Sequence, residues 1–559
     1  MSYLLGRIQS KHLLLAVPLA LSAYTHLWNP AGFPFWQGDE ATYIGRAMGV
    51  LDHELLYGLY DHPFLGPVIL AGFMYVTGYP DLFLTSTDPS TLGMFCAIPR
   101  VLMGLLAVLD TFLIYRIAER RFGCRAAPIA AALFAVMPVS LTLRAVLLDS
   151  ILLPFLLASV LLAMHARGTD PKGDPHVTDA GSWREGAAGR CLSAMRHGRT
   201  GQSARTPGPA STRIHLLVVL SGICMGCAIL VKIPSVAMIP LVLALAYSAN
   251  RSPRQALLWL APVILIAAVW PASAMLAGEL GLWADGVLWQ ADRDGQSRLD
   301  QLQKRLPVDL VQGQDPDILT HPMVLLSAIM MLFMLDPVLM TLGAAGLAFA
   351  AVTRNRFLML WAAPVLLFFG SIGYVSYFHL GMLWTAMCVA AAVLIGAGMA
   401  RISAGRRRPA GNLALLAAVA AIAVFGMSTS GVLVHWDMTS AYLDAVSFML
   451  QNYADSDVTL LTEAARTSTI FSAYGLDSVD KSVPFAIPAK AKKTVLMVSP
   501  DSVSRYRDMP GTGTDTDDYS AAAWVKHFWQ SRYVEIYDAG DRVAEFHNPP
   551  RPGLPALAG

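Results

Sequence analysis

Charge is scarce in this chain. Asp, Glu, Lys and Arg make up 14% of its 559 residues, where an ordinary soluble protein carries roughly 25%. That deficit excludes a soluble enzyme and a disordered, charge-rich protein. Neither sign dominates: 41 basic residues against 39 acidic ones leave a net charge of +2. No global basic field exists to hold a polyanion, so no nucleic-acid partner is expected. Cysteine is also sparse, with six in all and none after Cys388. This excludes a disulfide framework for the C-terminal part of the chain. Cys224 and Cys227 form a CxxC pair, but they lie inside an apolar run. A packed helix face explains them better than a redox or zinc site. No internal repeat is visible.

Apolar residues fill the space that charge leaves, at 55% of the chain. They recur in runs of about 20, each able to span roughly 30 Å of hydrocarbon. The pattern predicts a polytopic membrane protein. Arg7 and Lys11 precede the first run, and no small-x-small cleavage signature follows it. A retained signal anchor with a cytoplasmic N-terminus is expected. Basic residues in short loops mark the inner face. They occur at Arg116, Arg120, Arg121 and Arg125, at Arg251 with Arg254, at Arg354 with Arg356, and from Arg401 to Arg408. The Gly-, Pro- and Ser-rich segment 167–213 holds eight Lys/Arg against four Asp/Glu and reads as a flexible cytoplasmic loop. Segments 30–91 and 276–321 fall outside.

The same charge map decides the short apolar stretch 64–79, which contains three glycines. Were it a span, the next one would carry Glu119-Arg120-Arg121 to the outer face. It is therefore expected to be an interfacial or re-entrant helix. Spans fall near 12–29, 92–116, 126–143, 148–166, 214–231, 235–250, 256–275, 336–353, 357–373, 381–400 and 412–434. That makes about eleven, and it puts the C-terminus outside. Stretch 322–335 is a further interfacial helix or an extension of its neighbour.

After 434 the composition changes. Val458–Leu461 and Thr494–Val498 read as strands and Ala521–Ser531 as a helix. Arg532–Tyr537 and Val543–His547, joined by DAGD, read as a hairpin. The expected organisation is an all-α polytopic membrane domain over 1–434, a small α/β extracytoplasmic domain over 435–550, and a disordered tail over 551–559. The expected location is the plasma or inner membrane, with the external face carrying the chemistry.

The residues that carry chemistry open the first external loop. Asp39 and Glu40 begin the amphipathic stretch DEATYIGRAMG, and about twenty residues later comes LYDHPFLG with Asp61, His62 and Pro63. An acidic pair at a helix start is also what the helix dipole favours by itself. An acidic pair, a short amphipathic helix and then an acid-cation-Pro element resemble the GT-C glycosyltransferases. The resemblance is to the protein O-mannosyltransferase and aminoarabinose (lipid A) transferase-like families, which use lipid-phosphate sugar donors. It implies that Asp39 is the catalytic carboxylate and that His62-Pro63 matches the families' HPP or KPP element. Phe64 stands where a second proline is usual. The resemblance continues at Arg100, at PVSLTLRAVLLDS with Arg144 and Asp149, at Lys232 in VKIP, and more loosely at GYVSYFHLGMLW with Tyr377 and His379. It covers roughly 12–400.

The chemistry of such a transfer needs a base for the acceptor's proton, a role that fits Asp39 and contributes about 10²–10⁴-fold. It needs cations for the departing phosphate, for which His62, Arg100, Arg144 and Lys232 are the candidates. Glu40, Tyr43, Asp61, Asp149, Tyr377 and His379 would support the site. No strong general acid is required, since phosphate leaves readily, and no required metal is expected, because members of the resembling families differ on this point. If a divalent cation takes part, Glu40, Asp61 and Asp149 form an oxygen-rich set suited to Mg²⁺ or Mn²⁺. Each residue also has a plainer reading: Arg100 and Lys232 as headgroup contacts, Arg144 with Asp149 as a structural ion pair, and His62 as a turn residue. Trp283, Trp289, Arg293 and Arg298 are candidates for sugar or phosphate contact, against an interfacial helix with an aromatic anchor.

The expected function is an inverting transfer of sugar from a polyprenyl-phosphate donor to a protein, lipid or envelope-glycan acceptor on the external face. The alternatives are a lipid or solute transporter or flippase, and a non-catalytic scaffold for envelope assembly. A transporter places ionisable groups within spans, and Asp110 is the clearest such residue here.

Overall fold

The computed structural model describes residues 2–36, 38–52, 60–79, 81–82, 84–166, 209–248, 252–284, 286–287, 320–372, 375–403, 408–453, 458–462, 470, 474, 479–480, 493–498, 533–538 and 541–547. Residues 167–208 of the flexible loop expected at 167–213, Trp289, Arg293, Arg298, the helix expected at 521–531 and the tail at 551–559 lie outside the described residues; 209–213 are the first turn of a helix.

The first half of the chain builds helices α1 (Ser2–Leu27), α2 (Gly38–Leu51), α3 (Leu65–Val76), α4 (Pro89–Phe122), α5 (Ala126–Val136), α6 (Leu148–Ala166) and α7 (Pro209–Val231). Then come α8 (Ile239–Ser248), α9 (Pro253–Ala267), α10 (Val269–Leu276), α11 (Leu280–Ala284), α12 (Thr320–Leu335), α13 (Pro337–Val352) and α14 (Arg356–Ile372). The last are α15 (Gly381–Ser403), α16 (Arg408–Val434) and α17 (Ser440–Tyr453). Short 3₁₀ turns at Pro138–Arg144, Ile233–Met238 and Tyr377–Leu380 join several of them.

Among the described residues, six helical stretches are long and apolar enough to cross a membrane: Pro89–Phe122, Leu148–Ala166, Thr212–Val231, Pro253–Leu276, Tyr377–Ala400 and Ala417–Val434. The count reaches eight if each of two bent pairs is one span; Ala126–Val136 with Pro138–Arg144 bends by 64°, and α13 with α14 by 120°. The chain is an integral membrane protein. Its expected total of about eleven spans also counted Leu13–Leu27, the Ile233–Ser248 stretch, and α13 and α14 separately. α3 has 12 residues, a length of about 18 Å at ~1.5 Å per residue. That is too short to cross, in keeping with an interfacial placement.

Small residues let the helices approach. A Cβ on Gly346 of α13 would stand 2.4–2.7 Å from the backbone of Ala390 and Ala391 on α15. One on Gly104 of α4 would meet the His26 carbonyl oxygen at 2.6 Å. Such contacts replace the hydrophobic driving force that lipid does not supply.

Past α16 the chain forms five strands, β1 (Val458–Thr462), β2 (Val479–Asp480), β3 (Lys493–Val498), β4 (Tyr533–Asp538) and β5 (Asp541–His547). They pair in the order β2-β1-β3-β4-β5. β1 is parallel to β2 and β3, with Leu460 opposite Val495. β3, β4 and β5 run antiparallel, with Val534 opposite Phe546. Phe546 meets Phe448 of α17 at 5.8 Å between ring centres. α17 in turn packs on α4 and on Trp36, whose ring stands edge-on to Tyr442 at 5.7 Å.

Candidate active site

The site is organised by a loop whose second half, residues 32–34, is buried. Residues 28–34 follow α1 with no helix or strand to satisfy their carbonyls, and buried carbonyls need partners. Two arginines supply them. Arg144 donates from Nη1 to the Thr25 carbonyl at 2.9 Å, and from Nη2 to the carbonyls of Asn29, at 2.9 Å, and Trp28. It caps the negative end of α1, and its guanidinium stacks over Phe33 at 5.4 Å. Arg100 donates from Nη1 to the Pro34 carbonyl at 2.8 Å and the Pro30 carbonyl at 3.1 Å. Thr439 Oγ1 and the Met438 N–H take the carbonyls of Ala31 and Gly32, at 2.6 and 2.8 Å.

Arg100 also holds Glu40. Its Nη2 and Nε donate to Glu40 Oε1 and Oε2 at 2.7 and 2.9 Å, a two-point pair. Glu40 Oε2 accepts a third bond, from the Val146 N–H, at 2.8 Å. Glu40 and Arg100 are 0% and 1% exposed. Glu40, Ile44 and Ala47 are buried and follow each other at i, i+4 and i+7, fixing one face of α2. The neighbouring face carries Asp39, Tyr43 and Arg46 at the same spacing. Asp39 is exposed. No hydrogen bond or ion pair engages its carboxylate among the described residues.

Around Tyr43 the remaining charges gather. Burial pushes its hydroxyl well above the ordinary value, and the charges of Asp39, Asp149 and Asp61 push the same way, with Arg46 opposing. That influence draws α2, the Asp61 loop and the start of α6 around one hydroxyl. Arg46 Nη2 donates to both oxygens of Asp61 at 2.9 Å, and His62 Nδ1 pairs with Asp61 Oδ2 at 2.9 Å. Burial raises the Asp61 carboxyl, but the hydrogen bond from His62 and the charge of Arg46 outweigh it and hold the group well below the ordinary carboxylate range. The His62 ring stands edge-on to Tyr43 at 5.9 Å. Lys232, just past α7, forms a buried ion pair with Asp149 Oδ2 at 2.5 Å. Its ammonium also faces the Phe378 ring at 5.4 Å.

Several expectations are corrected by this geometry. Arg100 and Arg144 are buried rather than open to a ligand: Arg100 is committed to Glu40 and to main-chain carbonyls, and Arg144 to main-chain carbonyls through both Nη groups, with its Nε buried and unpaired among the described residues. Arg144 does not pair with Asp149, whose partner is Lys232. Glu40, Asp61 and Asp149 do not converge as a metal set, because each faces a cation of the chain instead. Among the described residues no group of three His, Cys, Asp or Glu side chains is placed to hold a metal ion. His379 accepts from the Ser376 N–H at 2.9 Å and closes a capping box, and its ring stacks on Phe369. Tyr377 is buried in the core. Asp39, Tyr43, Asp61, His62, Asp149 and Lys232 remain as one neighbourhood.

Two features escaped the sequence reading. Arg46 looked like one more cation on a helix, although its i+7 spacing from Asp39 was visible. Tyr60 donates to Glu279 Oε2 at 2.8 Å, tying the Asp61-His62 loop to the segment after α10. Trp283 packs edge-on against Trp270 there, at 5.8 Å.

No family model and no curated protein sequence matches the chain. Solved structures of membrane glycosyltransferases are similar to it. An archaeal oligosaccharyltransferase, AglB from Archaeoglobus fulgidus in complex with an inhibitory peptide and a dolichol-phosphate, is 14% identical with a TM-score of 0.42. That match covers 87% of this chain and 62% of AglB, so the chain spans under two thirds of that protein's length. ArnT from Cupriavidus metallidurans bound to undecaprenyl phosphate is 13% identical, with a TM-score of 0.49 and coverage of 89% of this chain and 94% of ArnT. The Pmt1–Pmt2 protein O-mannosyltransferase complex of S. cerevisiae, bound to its sugar donor, is 17% identical with a TM-score of 0.31. It covers 55% of this chain and 37% of its own. All three are glycosyltransferases of the GT-C class that the first-loop motifs resemble. The reading of the site rests on the chain's own residues.

Proposed function

We propose that this chain is a membrane glycosyltransferase that moves a sugar from a polyprenyl-phosphate donor to an acceptor on the external face, with inversion. The observation that carries the reading is the contrast within the acidic pair. Glu40 is fully buried and clamped; Asp39, one residue earlier, is exposed and free beside a neighbourhood of cations. A clamped neighbour fixes the start of α2 and so aims the free carboxylate.

In this reading Asp39 takes the proton of the acceptor hydroxyl or amine as its oxygen or nitrogen attacks the anomeric carbon. The bond to the phosphate oxygen breaks on the opposite face of the sugar, and the electron pair leaves with the phosphate. His62 and Lys232 stand where they can stabilise that charge. Lys232 is held by Asp149 at rest, so an incoming phosphate exchanges with a carboxylate rather than meeting a bare ammonium. Phosphate needs no strong acid to leave, so one carboxylate suffices where inverting glycosidases employ two.

The test is release of polyprenyl phosphate from a panel of labelled lipid-phosphate sugars in nanodiscs, with crude envelope extract as acceptor. Wild type is expected to release carrier from one donor, and Asp39→Asn to fall by about 10²–10⁴-fold, the usual share of a general base. Equal release by both proteins would remove Asp39 from the chemistry.

A further inference from the structure

Within the neighbourhood of charges, Asp61 holds Arg46 and His62, and Asp149 holds Lys232. The Tyr43 hydroxyl bonds nothing among the described residues. The other described buried tyrosines between residues 30 and 91 do have acceptors: Tyr60 donates to Glu279 Oε2 at 2.8 Å and Tyr79 to the Phe95 carbonyl at 3.4 Å. A buried phenol normally finds a partner, because a polar group left unpaired is costly. Tyr43 is 6% exposed, yet its hydroxyl oxygen is not one of the fully enclosed unpaired atoms. The ring is packed away and the polar tip stays within reach of a ligand.

Helix α2 explains this placement. Glu40, Ile44 and Ala47 bury one face, and Tyr43 lies beside them, one turn after Asp39. Residues four apart on a helix are neighbours, about 5–6 Å between Cβ atoms. The His62 ring meets Tyr43 edge-on at 5.9 Å. Burial and the charges of Asp39, Asp149 and Asp61 keep the phenol protonated, so it is a fixed donor.

These neighbours belong to the two halves of the proposed reaction. Asp39 takes the acceptor's proton. Asp61 and Asp149 hold His62 and Lys232, the cations for the departing phosphate. An inverting displacement puts the base and the leaving group on opposite faces of one sugar ring, so the space that the two halves share is the space of the sugar. The buried ring of Tyr43 has no face to offer for stacking; it offers a hydroxyl at a fixed point.

We infer that the Tyr43 hydroxyl donates a hydrogen bond to an oxygen of the transferred sugar, and so takes part in choosing which sugar the site accepts. The contact presupposes the lipid-phosphate reading of the site. A sugar without that oxygen leaves the phenol unpaired, which is the basis on which a polar site rejects a deoxy analogue.

The test compares wild type with Tyr43→Phe, both full-length in nanodiscs. The probes are the lipid-phosphate sugar that wild type uses in the release assay, monodeoxy analogues of its sugar, and polyprenyl phosphate without sugar. Tyr43→Phe is expected to lose about tenfold in kcat/KM with the parent donor and nothing in affinity for polyprenyl phosphate. One deoxy analogue should cost wild type about the same tenfold and cost Tyr43→Phe nothing further. Thermal stability of Tyr43→Phe should match or exceed that of wild type, because the hydroxyl it lacks is unpaired at rest; a fall in stability would show a structural role and overturn the contact. Wild-type kcat/KM in Tyr43→Phe overturns it too, as does a deoxy series that costs both proteins equally, or a loss that polyprenyl phosphate binding shares. In each of those cases wild type still releases carrier and the glycosyltransferase reading stands. No release by wild type from any lipid-phosphate sugar overturns that reading and the contact with it.

Discussion

Replacing Glu40 with alanine removes the acidic half of a pair in which neither side chain meets solvent. Three hydrogen bonds disappear, two from Arg100 and one from the Val146 N–H. The guanidinium keeps its bonds to the Pro30 and Pro34 carbonyls but loses its counter-charge. Removing one partner of a buried ion pair costs about 3–5 kcal/mol, and an orphaned buried N–H adds about 1–3 kcal/mol. These terms overlap, so a loss of roughly 4 kcal/mol is expected, near a thousandfold in the local folded-to-unfolded ratio. The assay is thermal unfolding of the purified chain in nanodiscs, read by tryptophan fluorescence. Trp36 is a suitable reporter, since it is buried beside Phe95 at 5.3 Å between ring centres, close to the clamp. Arg100→Ala should show a comparable loss. The double variant should lose less than the sum of the two, because contacting residues couple by about 0.5–3 kcal/mol. A Glu40→Ala or Arg100→Ala protein that unfolds at the wild-type temperature and differs only in donor KM would refute the clamp and return Arg100 to the donor.

Other outcomes can be checked alongside. Gly346→Val puts a side chain against the α15 backbone, which cannot retreat as a flexible side chain can, so a loss of at least about 1–3 kcal/mol is expected; wild-type stability would mean that α13 and α15 separate easily. Asp61 has a folded-state pKa below its ordinary value of about 3.9, so its contribution is complete above that range and fades as pH falls through the lower, folded value. The stability difference between wild type and Asp61→Asn should therefore still be present at about pH 5 and shrink only in strong acid; a difference lost on acidification from about pH 7 to pH 5 would contradict the pairing with Arg46 and His62. Cys124 is exposed beside the basic end of α4. In a variant retaining only that cysteine, a membrane-impermeant maleimide added to intact cells should not label it, and labelling would invert the topology.

Much of the candidate site could be read from residue types. The acidic pair, the amphipathic turn spacing of Asp39 and Tyr43, and the Asp61-His62-Pro63 element are local patterns, and local patterns survive in a string of letters. So did the short helix at Leu65–Val76, because its length and the charge balance of its flanks are both countable. The partners of the arginines were not legible. Arg100 meets Glu40 across 60 residues and Arg144 meets the Asn29 carbonyl across 115. A main-chain carbonyl has no letter of its own, so a cation that ends on one looks the same as a cation waiting for a ligand. Arg46 was passed over for the same reason: its partner, Asp61, lies fifteen residues on, and a cation on a short helix resembles a solvated one. The pairing of the three carboxylates was hidden for a related reason, since counting Glu40, Asp61 and Asp149 gave no sign that each has a cation of its own.

The loop at 28–34 has a consequence for how the chain is made. It emerges from the biosynthetic machinery directly behind α1, yet nearly all of its acceptors wait for groups synthesised later. Arg100 arrives about seventy residues afterwards, Arg144 over a hundred, and Met438 and Thr439 some four hundred residues on. Until then its carbonyls must stay hydrated at the membrane surface. The start of α2, and with it the aim of Asp39, is thus completed only when α17 docks. Ribosome-bound intermediates truncated before residue 438 should carry a loop open to proteolysis, and its closure would mark the moment at which the site is complete.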